Sequence, residues 1–446
     1  MTMNTPICDF VRDYAQSNAL RLHMPGHKGR DVLGTERLDI TEIAGADVLY
    51  AAKGIIRESE DNATTLFGTK KTLYSVEGSS LAIRGMLFLA LQYAKETRRR
   101  PLIAAGRNAH KTFVTAAALL DMQVDWLYAE QQNLLSCRIT PTVLEAYLQQ
   151  NDPVAVYVTS PDYLGNTVDI AALSAVCHTH NTLLLVDNAH GAYLRFLPTD
   201  RHPITLGADL CCDSAHKTLP VLTGGAYLHI AKSAPRFFFE QAEEALSLFA
   251  STSPSYLILQ SLDAANAYLA NGYRERLQTF IQTVNTLKNT LREKRYDLIG
   301  DEPLKLTLQP KTYGYTGAAL AASLEKQGIV CEFADPDHIT FMLSPEVGET
   351  GAKRLENALL AIEPQSPIEV RPPETVRSQT ALSMHDALFS TAEILPISQC
   401  VGRVLATPTV SCPPAIPVAV CGEVISKAMV DVFEYYGIDT CKVIKE

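Results

Sequence analysis

The sequence predicts an α/β protein with a mostly parallel central sheet. Short apolar runs without polar alternation recur between residues 102 and 230, as expected for strands that are covered on both faces. Stretches with helical periodicity lie between these runs, which suits the crossover connections of parallel strands. With 446 residues, 47% of them apolar and 20% charged, the chain has the composition of a globular protein with a large core.

The central part of the chain alternates between predicted strands and predicted helices. The strands are expected at residues 102–105, 154–158, 183–186, 208–212 and 225–230. The helices are expected at residues 79–94, 110–120 and 170–180, and a long helical stretch runs over residues 255–291. This alternation is typical of a large α/β domain.

Smaller units flank this region. Residues 1–70 show weak helix signals, so loops are expected there. A second α/β unit begins near Tyr296, with strands predicted at 305–308, 329–333 and 338–343 and helices at 317–327 and 351–362. The proline-rich stretch 363–373 predicts a linker, and a small α/β unit follows in which residues 413–417 must be extended. The predicted domains are therefore 1–70, 71–290, 291–365 and 366–446.

Charge and cysteine spacing exclude several classes of function. Net charge is −10, from 39 basic and 49 acidic residues, which argues against nucleic acid as a partner. No apolar stretch is long enough to span a membrane and no secretory signal is recognisable, so we expect a cytoplasmic protein. The ten cysteines include no CxxC pair and are expected to be reduced. His23 and His27 have metal-ligand spacing, but the intervening Met24-Pro25-Gly26 prevents a helix, so no metal site is predicted.

Two polar clusters follow neighbouring apolar runs. Asp187 comes directly after the run 183–186, and Ser214, His216 and Lys217 follow the run 208–212. Ligands of open α/β sheets bind at the carboxyl ends of strands. A lysine in a partly apolar cleft has a lowered pKa and is a good nucleophile toward an aldehyde. Taken alone, the aspartate could equally cap a helix and the lysine could be a solvated surface residue.

An aspartate and a lysine at neighbouring strand ends are what a pyridoxal phosphate site requires. The lysine forms an imine with the cofactor, and the aspartate pairs with its protonated pyridine nitrogen. Gly78, Ser79 and Ser80 begin the predicted helix 79–94 and could bind the phosphate, although such residues alone are more often a helix cap. An imidazole at His110 could stack on the ring, or simply cap a helix.

The chain resembles the ornithine/lysine/arginine decarboxylase family of pyridoxal-phosphate enzymes. The matching segments, in the family's order, are HMPGHKG (23–29), EGSS (77–80), RNAHK (107–111), SPDYLG (160–165), DNAHG (187–191), SAHKTL (214–219), STSPSY (251–256) and PPAIP (413–417). This resemblance implies fold type I, with a seven-stranded, mostly parallel sheet in the large domain and small C-terminal α/β domains. It also implies a homodimer whose active sites are shared between subunits.

The resemblance implies roles for individual residues. Lys217 would be the Schiff-base lysine, and Asp187 would hold the pyridine nitrogen. The other cofactor-binding residues would be Gly78, Ser79, Ser80, His110, Ala189, Ser214 and His216, with His110 and Ala189 on opposite faces of the ring. His190 and His216 would lie beside the imine as catalytic residues. Residues expected to meet the substrate or the partner subunit are His23, His27, Ser255, Tyr256 and Glu423.

Three features differ from the family pattern. Asn188 stands where the family usually has glutamate. The resemblance is to the short form of the family, without an N-terminal receiver-like domain, so we expect a plain dimer and not a larger assembly. The C-terminal unit is shortened, and because this unit helps to form the substrate entrance in the family, the choice among arginine, lysine and ornithine stays open. Glu423 is one candidate for the acid that binds the distal amine, and a solvated loop acid is the alternative.

The favoured hypothesis is therefore a decarboxylase that converts a basic amino acid to CO2 and a polyamine precursor. An aminotransferase or lyase of the same fold would use the same residues, so the sequence does not separate it from a decarboxylase. A catalytically silent homologue is a third hypothesis, which the presence of Lys217 and Asp187 disfavours.

Overall fold

A computed structural model describes residues 3–129, 135–374, 377–412 and 416–446. The helices in these residues are α1 (Pro6–Gln16), α2 (Ile55–Phe67), α3 (Gly78–Glu96), α4 (Lys111–Leu119), α5 (Pro141–Leu148), α6 (Ile170–Thr179), α7 (Ala215–Thr218), α8 (Arg236–Ser247), α9 (Tyr256–Ala270), α10 (Tyr273–Glu293), α11 (Gly317–Glu325), α12 (Gly348–Leu360), α13 (Met384–Phe389) and α14 (Lys427–Tyr435). None of these helices is both long enough and apolar enough to cross a bilayer.

The strands of the described residues are short, as is usual in α/β proteins. They are β1 (Lys71–Ser75), β2 (Leu102–Gly106), β3 (Gln123–Leu127), β4 (Ala155–Thr159), β5 (Leu183–Asp187), β6 (Leu210–Asp213), β7 (Ala226–Ile230), β8 (Leu298–Ile299), β9 (Lys305–Leu308), β10 (Phe333–Ala334), β11 (Ile339–Met342), β12 (Ala392–Pro396), β13 (Thr409–Cys412), β14 (Ile416–Val420) and β15 (Thr440–Ile444). The first seven belong to a seven-stranded, mostly parallel sheet, which confirms the predicted fold class.

The chain folds into two compact units. The first comprises Met1–Thr97 and Leu183–Leu277, and the second comprises Arg98–Thr182 and Gln278–Glu446. In the first unit the strands lie in the order β1-β7-β6-β5, with β5 and β6 parallel and β7 antiparallel to both of its neighbours. The ends of β5 and β6 therefore point in one direction, and the residues that follow them are brought together.

The second unit contains the strands β4-β2-β3, in which the central strand β2 is parallel to both β4 and β3. It also contains an antiparallel sheet in the order β10-β11-β9-β8 and two antiparallel two-stranded sheets, β12 with β15 and β13 with β14. Buried apolar side chains of α14 and these pairs, including Phe433 and Val443, form a separate small core. The predicted four-part domain division stays a prediction beside this two-unit arrangement.

Most predicted elements of the central region are confirmed. Strands β2, β4, β5, β6 and β7 and helices α3, α4 and α6 lie where the apolar runs and the helical periodicity place them. The long helical stretch is two helices, α9 and α10, separated by Asn271 and Gly272. The linker 363–373 contains no helix or strand. Of the extended segment 413–417, Ile416 and Pro417 begin β14, whereas residues 413–415 lie outside the described part of the chain.

Two expectations about elements are wrong, and two strands were not predicted. Two helices, α1 and α2, occupy the first seventy residues, where loops were expected. The strands that were not predicted are β1 and β3. The strand expected at 329–333 is reduced to Phe333–Ala334, because Val330 is 79% exposed and packs against little that would hold it in a sheet.

Candidate active site

The predicted site residues of the first unit gather at the carboxyl ends of β5 and β6. Asp187 is the last residue of β5 and lies opposite Cys212 in the parallel ladder. Strand β6 ends one residue later, and Ser214 then leads into the single turn of α7, which carries His216 and Lys217. The uninterrupted apolar sequence of both strands buries them completely, so only the residues at their ends are available for binding.

Lys217 and His190 form the central contact of this site. The Lys217 Nζ donates to His190 Nε2 at 2.8 Å. His190 is buried and lies three residues beyond the end of β5, whereas Lys217 is half-buried. An imidazole that accepts from an amine can also receive a proton from it, so the pair can move a proton at Nζ.

His216 fixes the orientation of α7. Its backbone N–H and its ring Nδ1 both lie within hydrogen-bond distance of the Gly225 carbonyl, at 3.1 and 2.9 Å. Because a carbonyl only accepts, Nδ1 carries the proton. The turn that presents Lys217 is thereby attached to the start of β7.

Asp187 offers a buried carboxylate. It is 2% exposed, and its Oδ1 accepts from the Ala189 backbone N–H at 3.2 Å and from the Cys212 thiol at 3.6 Å. A buried carboxylate is costly unless it meets a cation or several donors. Its position at the strand end, where ligands of open α/β sheets bind, suits it to a protonated ring nitrogen.

The N-terminus of α3 has the features of a phosphate site. Gly78 begins this 19-residue helix with φ +72°, and a Cβ built on it would meet no atom within 4 Å. The preceding Glu77 makes no side-chain cap to the helix. Ser214 Oγ donates to Ser79 Oγ at 2.8 Å, which brings two predicted phosphate ligands together, and the half-buried Ser80 lies in the same turn. Helix N–H groups and hydroxyls in this arrangement favour an anion.

A buried polar network lies at the end of β6, and sequence reasoning missed it. Asp213 Oδ2 accepts from His202 Nε2 at 3.0 Å and from His229 Nε2 at 3.1 Å, while Oδ1 accepts from the Asn188 amide at 2.7 Å. Burial raises the pKa of the Asp213 carboxyl, but the two imidazoles outweigh that effect and hold the pKa well below its usual range. Burial lowers the pKa of His229. Asp213 is therefore an anion with three nitrogen donors, and the Cys211 thiol also donates to its Oδ1 at 3.5 Å.

The same cluster includes a set of atoms that could bind a metal ion. Single ligand atoms of His202, Cys211 and Asp213 lie within 4.8 Å of one another. However, Ile204 N–H donates to His202 Nδ1, so the proton of this imidazole is on Nε2 and points at the carboxylate. Burial also raises the pKa of the Cys211 thiol well above its usual value. Hydrogen bonding within the protein accounts for this cluster.

Four predicted residues have clear structural roles within their own units. His110 is the N-cap of α4, where its ring Nδ1 accepts from the Thr112 N–H at 3.1 Å. Ser255 is the N-cap of α9 and is half-buried. His23 Nε2 accepts from the Tyr14 hydroxyl at 2.5 Å. His27 Nε2 donates to Asp39 at 3.2 Å. Their predicted roles toward cofactor, substrate or partner stay predictions.

The Tyr256 side chain has a structural role within its own unit. Tyr256 is wholly buried in its own chain, and its hydroxyl donates to the carbonyls of Ala46 and Asp47 at 3.0 and 2.9 Å. It therefore attaches α9 to the N-terminal segment, and its predicted role toward the partner subunit stays a prediction. Residues 251–253, which belong to the same predicted partner contact, are exposed.

Glu423 lies in the second unit, where it forms a buried ion pair with Arg107. Its carboxylate accepts from the Arg107 guanidinium at 3.2 Å and from the Val420 N–H at 3.0 Å. It is 2% exposed, so the solvated-loop alternative is wrong. Its charge is already balanced by Arg107, and a substrate role for Glu423 stays a prediction.

Comparison with known proteins identifies the family. The model of the Orn/Lys/Arg decarboxylase major domain matches residues 5–301. The chain belongs to the Orn/Lys/Arg decarboxylase family. An arginine decarboxylase of Bacillus subtilis is 28% identical, over 95% of this chain and 91% of the relative, and an uncharacterised B. subtilis protein, YaaO, is 30% identical, over 96% and 93%. Lysine decarboxylase A of Pseudomonas aeruginosa has the same fold, with a TM-score of 0.83, 17% identity and coverage of 99% of this chain and 81% of that structure.

Family membership decides between the reaction classes that the sequence left open. The chain is an amino-acid decarboxylase of the class that acts on basic amino acids. The structure brings the predicted site residues Asp187, His190, Ser214 and Lys217 to adjacent strand ends.

Proposed function

We propose that the protein is a pyridoxal-phosphate-dependent decarboxylase of a basic amino acid, and that arginine is its substrate. One observation carries the proposal: Lys217 is hydrogen-bonded to His190 beside the strand end that presents Asp187. Arginine is favoured because the relatives that match this chain over nearly their whole length include arginine decarboxylases, whereas a lysine decarboxylase matches over 39% of its own length.

The residues present fit the cofactor. Ser79, Ser80 and Ser214 would hold the phosphate at the N-terminus of α3, where the open space at Gly78 leaves room for it. Asp187 would hold the pyridine nitrogen, and Ala189 would support one face of the ring. When bound, pyridoxal phosphate supplies an electron sink for the pair of electrons that the departing carboxylate leaves behind.

The chain's own groups would carry out the remaining work. Lys217 would supply the amine that holds the cofactor. His190 can accept a proton from Lys217 Nζ and return it. His216 holds the turn α7 that presents Nζ. Burial of Asp187 would exclude water from the carboxylate that would hold the ring nitrogen.

We further propose that the enzyme is a homodimer with shared sites. The N-terminal segment exposes apolar side chains that a lone subunit would leave in water: Leu20, Leu22, Val32 and Leu33 are 80–86% exposed. Large contiguous apolar patches mark interaction surfaces. His23 and His27 lie in the same segment, so a second copy that covers it would meet both of them.

The proposal is tested by product analysis with matched substrates. The purified protein is supplied with pyridoxal phosphate and, in separate reactions, with carboxyl-labelled arginine, lysine and ornithine. We expect labelled CO2 and agmatine from arginine. Lys217→Ala, in which the amine is absent, is the control and should release no CO2.

Other products would contradict particular parts of the proposal. Cadaverine or putrescine as the main product would overturn the choice of arginine but keep the reaction. A keto acid without CO2 would overturn the reaction itself.

A further inference from the structure

Asn188 occupies a buried position at the centre of the site. It follows Asp187 directly and is wholly buried. Its backbone N–H donates to the Cys212 carbonyl at 3.0 Å, so the ladder between β5 and β6 continues by one residue. Asn188 therefore lies beside Asp213 at the two strand ends.

The side chain of Asn188 makes one strong hydrogen bond. Its Nδ2 donates to Asp213 Oδ1 at 2.7 Å. Because an ionised carboxylate only accepts, the amide nitrogen must be the atom that faces Asp213. The amide oxygen is buried without a donor among the described residues, so this one bond sets the orientation of the side chain.

A carboxylate at position 188 would not be compatible with Asp213. Asp213 already accepts from two imidazoles and has its pKa held low, so it stays ionised. Two carboxylates that face each other without water cannot both be ionised at low cost. Asparagine replaces this repulsion with a charge-assisted hydrogen bond, which is among the strong ones.

This bond connects the segments that carry the reacting groups. Asn188 lies between Asp187 and His190, and Asp213 immediately precedes Ser214 and the turn with Lys217. The loop also closes tightly around the amide: Gly191 N–H donates to the Asn188 carbonyl at 2.8 Å, and a Cβ at position 191 would lie 2.0 Å from Asn188 Oδ1. Any shift of the amide would therefore move the loop that holds His190 against Lys217.

We propose that Asn188 and Asp213 are a matched donor–acceptor pair of positioning residues, which holds the strand end of Asp187 and His190 in register with the strand end of Ser214 and Lys217. The proposal rests on the proposed function only for the identity of the bound cofactor. The pair carries one negative charge at the ends of β5 and β6. The site needs one donor and one acceptor at positions 188 and 213, and neither residue alone is sufficient.

A reciprocal exchange tests this pairing. The variants are Asn188→Asp, Asp213→Asn and the double variant, in which donor and acceptor are reversed and the total charge is unchanged. In the double variant the new amide at 213 can still accept from both imidazoles and donate to the carboxylate at 188. Thermal unfolding of the cofactor-free protein, the Kd of pyridoxal phosphate, and kcat and KM are measured for each.

We expect Asn188→Asp to weaken cofactor binding at least tenfold and to lower kcat more than KM changes. The double variant should recover cofactor affinity to within about threefold of wild type, because it restores the hydrogen bond between positions 188 and 213. If the two positions were independent, the losses of the single variants would add. Asn266→Asp is the matched control. Asn266 is equally buried, and its side-chain oxygen also has no donor among the described residues. Its amide donates to Ser59 and Tyr74, away from the ends of β5 and β6. It should lower thermal stability without changing the Kd.

Two results would overturn the proposal. One is wild-type cofactor affinity in Asn188→Asp. The other is a double variant that regains thermal stability but not cofactor affinity, which would make the pair purely structural. The Kd and unfolding measurements do not involve a substrate, so an absence of decarboxylation in the wild-type protein would contradict the proposed function and leave this test intact.

Discussion

At the scale of single residues, two buried aspartates at neighbouring strand ends have different partners. Asp187 Oδ1 accepts from the Ala189 N–H and from the Cys212 thiol, whereas Asp213 accepts from two imidazoles and the Asn188 amide. The imidazoles keep Asp213 an anion that supports the structure. Asp187 lies at the strand end where ligands of open α/β sheets bind.

The role of Asp187 can be tested with an isosteric change. Asp187→Asn keeps an oxygen for the Ala189 N–H and should fold, but it removes the charge that holds a protonated ring nitrogen. We expect the loss of a charge-assisted bond to weaken pyridoxal phosphate binding or transition-state stabilisation by about 1.5–3 kcal/mol and to abolish most turnover. Fluorescence titration gives the first quantity and CO2 release the second.

Asp209→Asn is the matched control for this change. Asp209 is also buried in the first unit, but it accepts from the Leu184 N–H at the opposite ends of β5 and β6. Its variant should bind the cofactor normally. Near-normal turnover by Asp187→Asn would show that another residue holds the ring nitrogen.

The placement of Asp187 and Lys217 could be predicted because continuous apolar runs precede both, and the ends of parallel strands meet at one edge. Their chemical roles stay predictions. The network of Asp213 could not be predicted, since His202 and His229 are separated from it in sequence and carry no local signal. Burial of Tyr256 could not be predicted either, because a motif match does not tell whether a side chain turns inward.

At the scale of elements, the sequence pattern missed two strands whose burial differs from that of the central strands. Strand β1, KTLYS, reads as a polar segment, yet four of its five residues are buried between α2 and β7. Strand β3 lies at the edge of its sheet and is half exposed, so it lacks the continuous apolar run of the central strands. Both were missed for the same reason: a sequence pattern shows the average environment of a strand and not its neighbours.

Helix α2 contains a buried acid with a testable pH dependence. Glu60 accepts from the Tyr74 N–H of β1 at 3.0 Å, and Arg57 lies 3.3 Å from its other oxygen without hydrogen-bond geometry. Burial raises the pKa of Glu60 to about 8, against the opposing effects of these two groups. The folded state therefore binds a proton that the unfolded chain releases near pH 4.

Stability should accordingly fall as the pH rises from about 5 to 8, and Glu60→Gln should remove this loss. We compare the free energy of unfolding of Glu60→Gln with that of wild type at each pH. This difference should shift in favour of the variant by on the order of 2–4 kcal/mol between pH 5 and pH 8. Urea unfolding at both pH values measures this. Glu58→Gln, at an exposed position of the same helix, should leave the slope unchanged. Equal slopes for wild type and Glu60→Gln would show that Glu60 is ionised in the folded protein.

At the scale of the whole molecule, the proposed dimer predicts complementation between inactive variants. Lys217→Ala removes the amine of a site, and His27→Ala removes a group that we expect the partner to contribute. Each should be inactive alone. After subunit exchange about half of the dimers are mixed, and one of the two sites in each mixed dimer is intact, so roughly a quarter of wild-type activity should return.

Circular dichroism of both variants and proof of exchange with differently tagged chains are the controls. Exchange without recovered activity would mean that each site is built from one chain. Substantial activity of His27→Ala alone would remove His27 from the site and leave the dimer to be tested through another residue of the segment.

The central claim is that Lys217 holds the cofactor with which this protein decarboxylates its substrate. The most direct measurement is borohydride reduction of the protein loaded with pyridoxal phosphate, followed by peptide mass mapping. The account predicts one pyridoxyl group per chain, on Lys217, and its loss when substrate is added before the reductant. A stable label on Lys28, Lys111 or another lysine, with Lys217 unmodified, would contradict it.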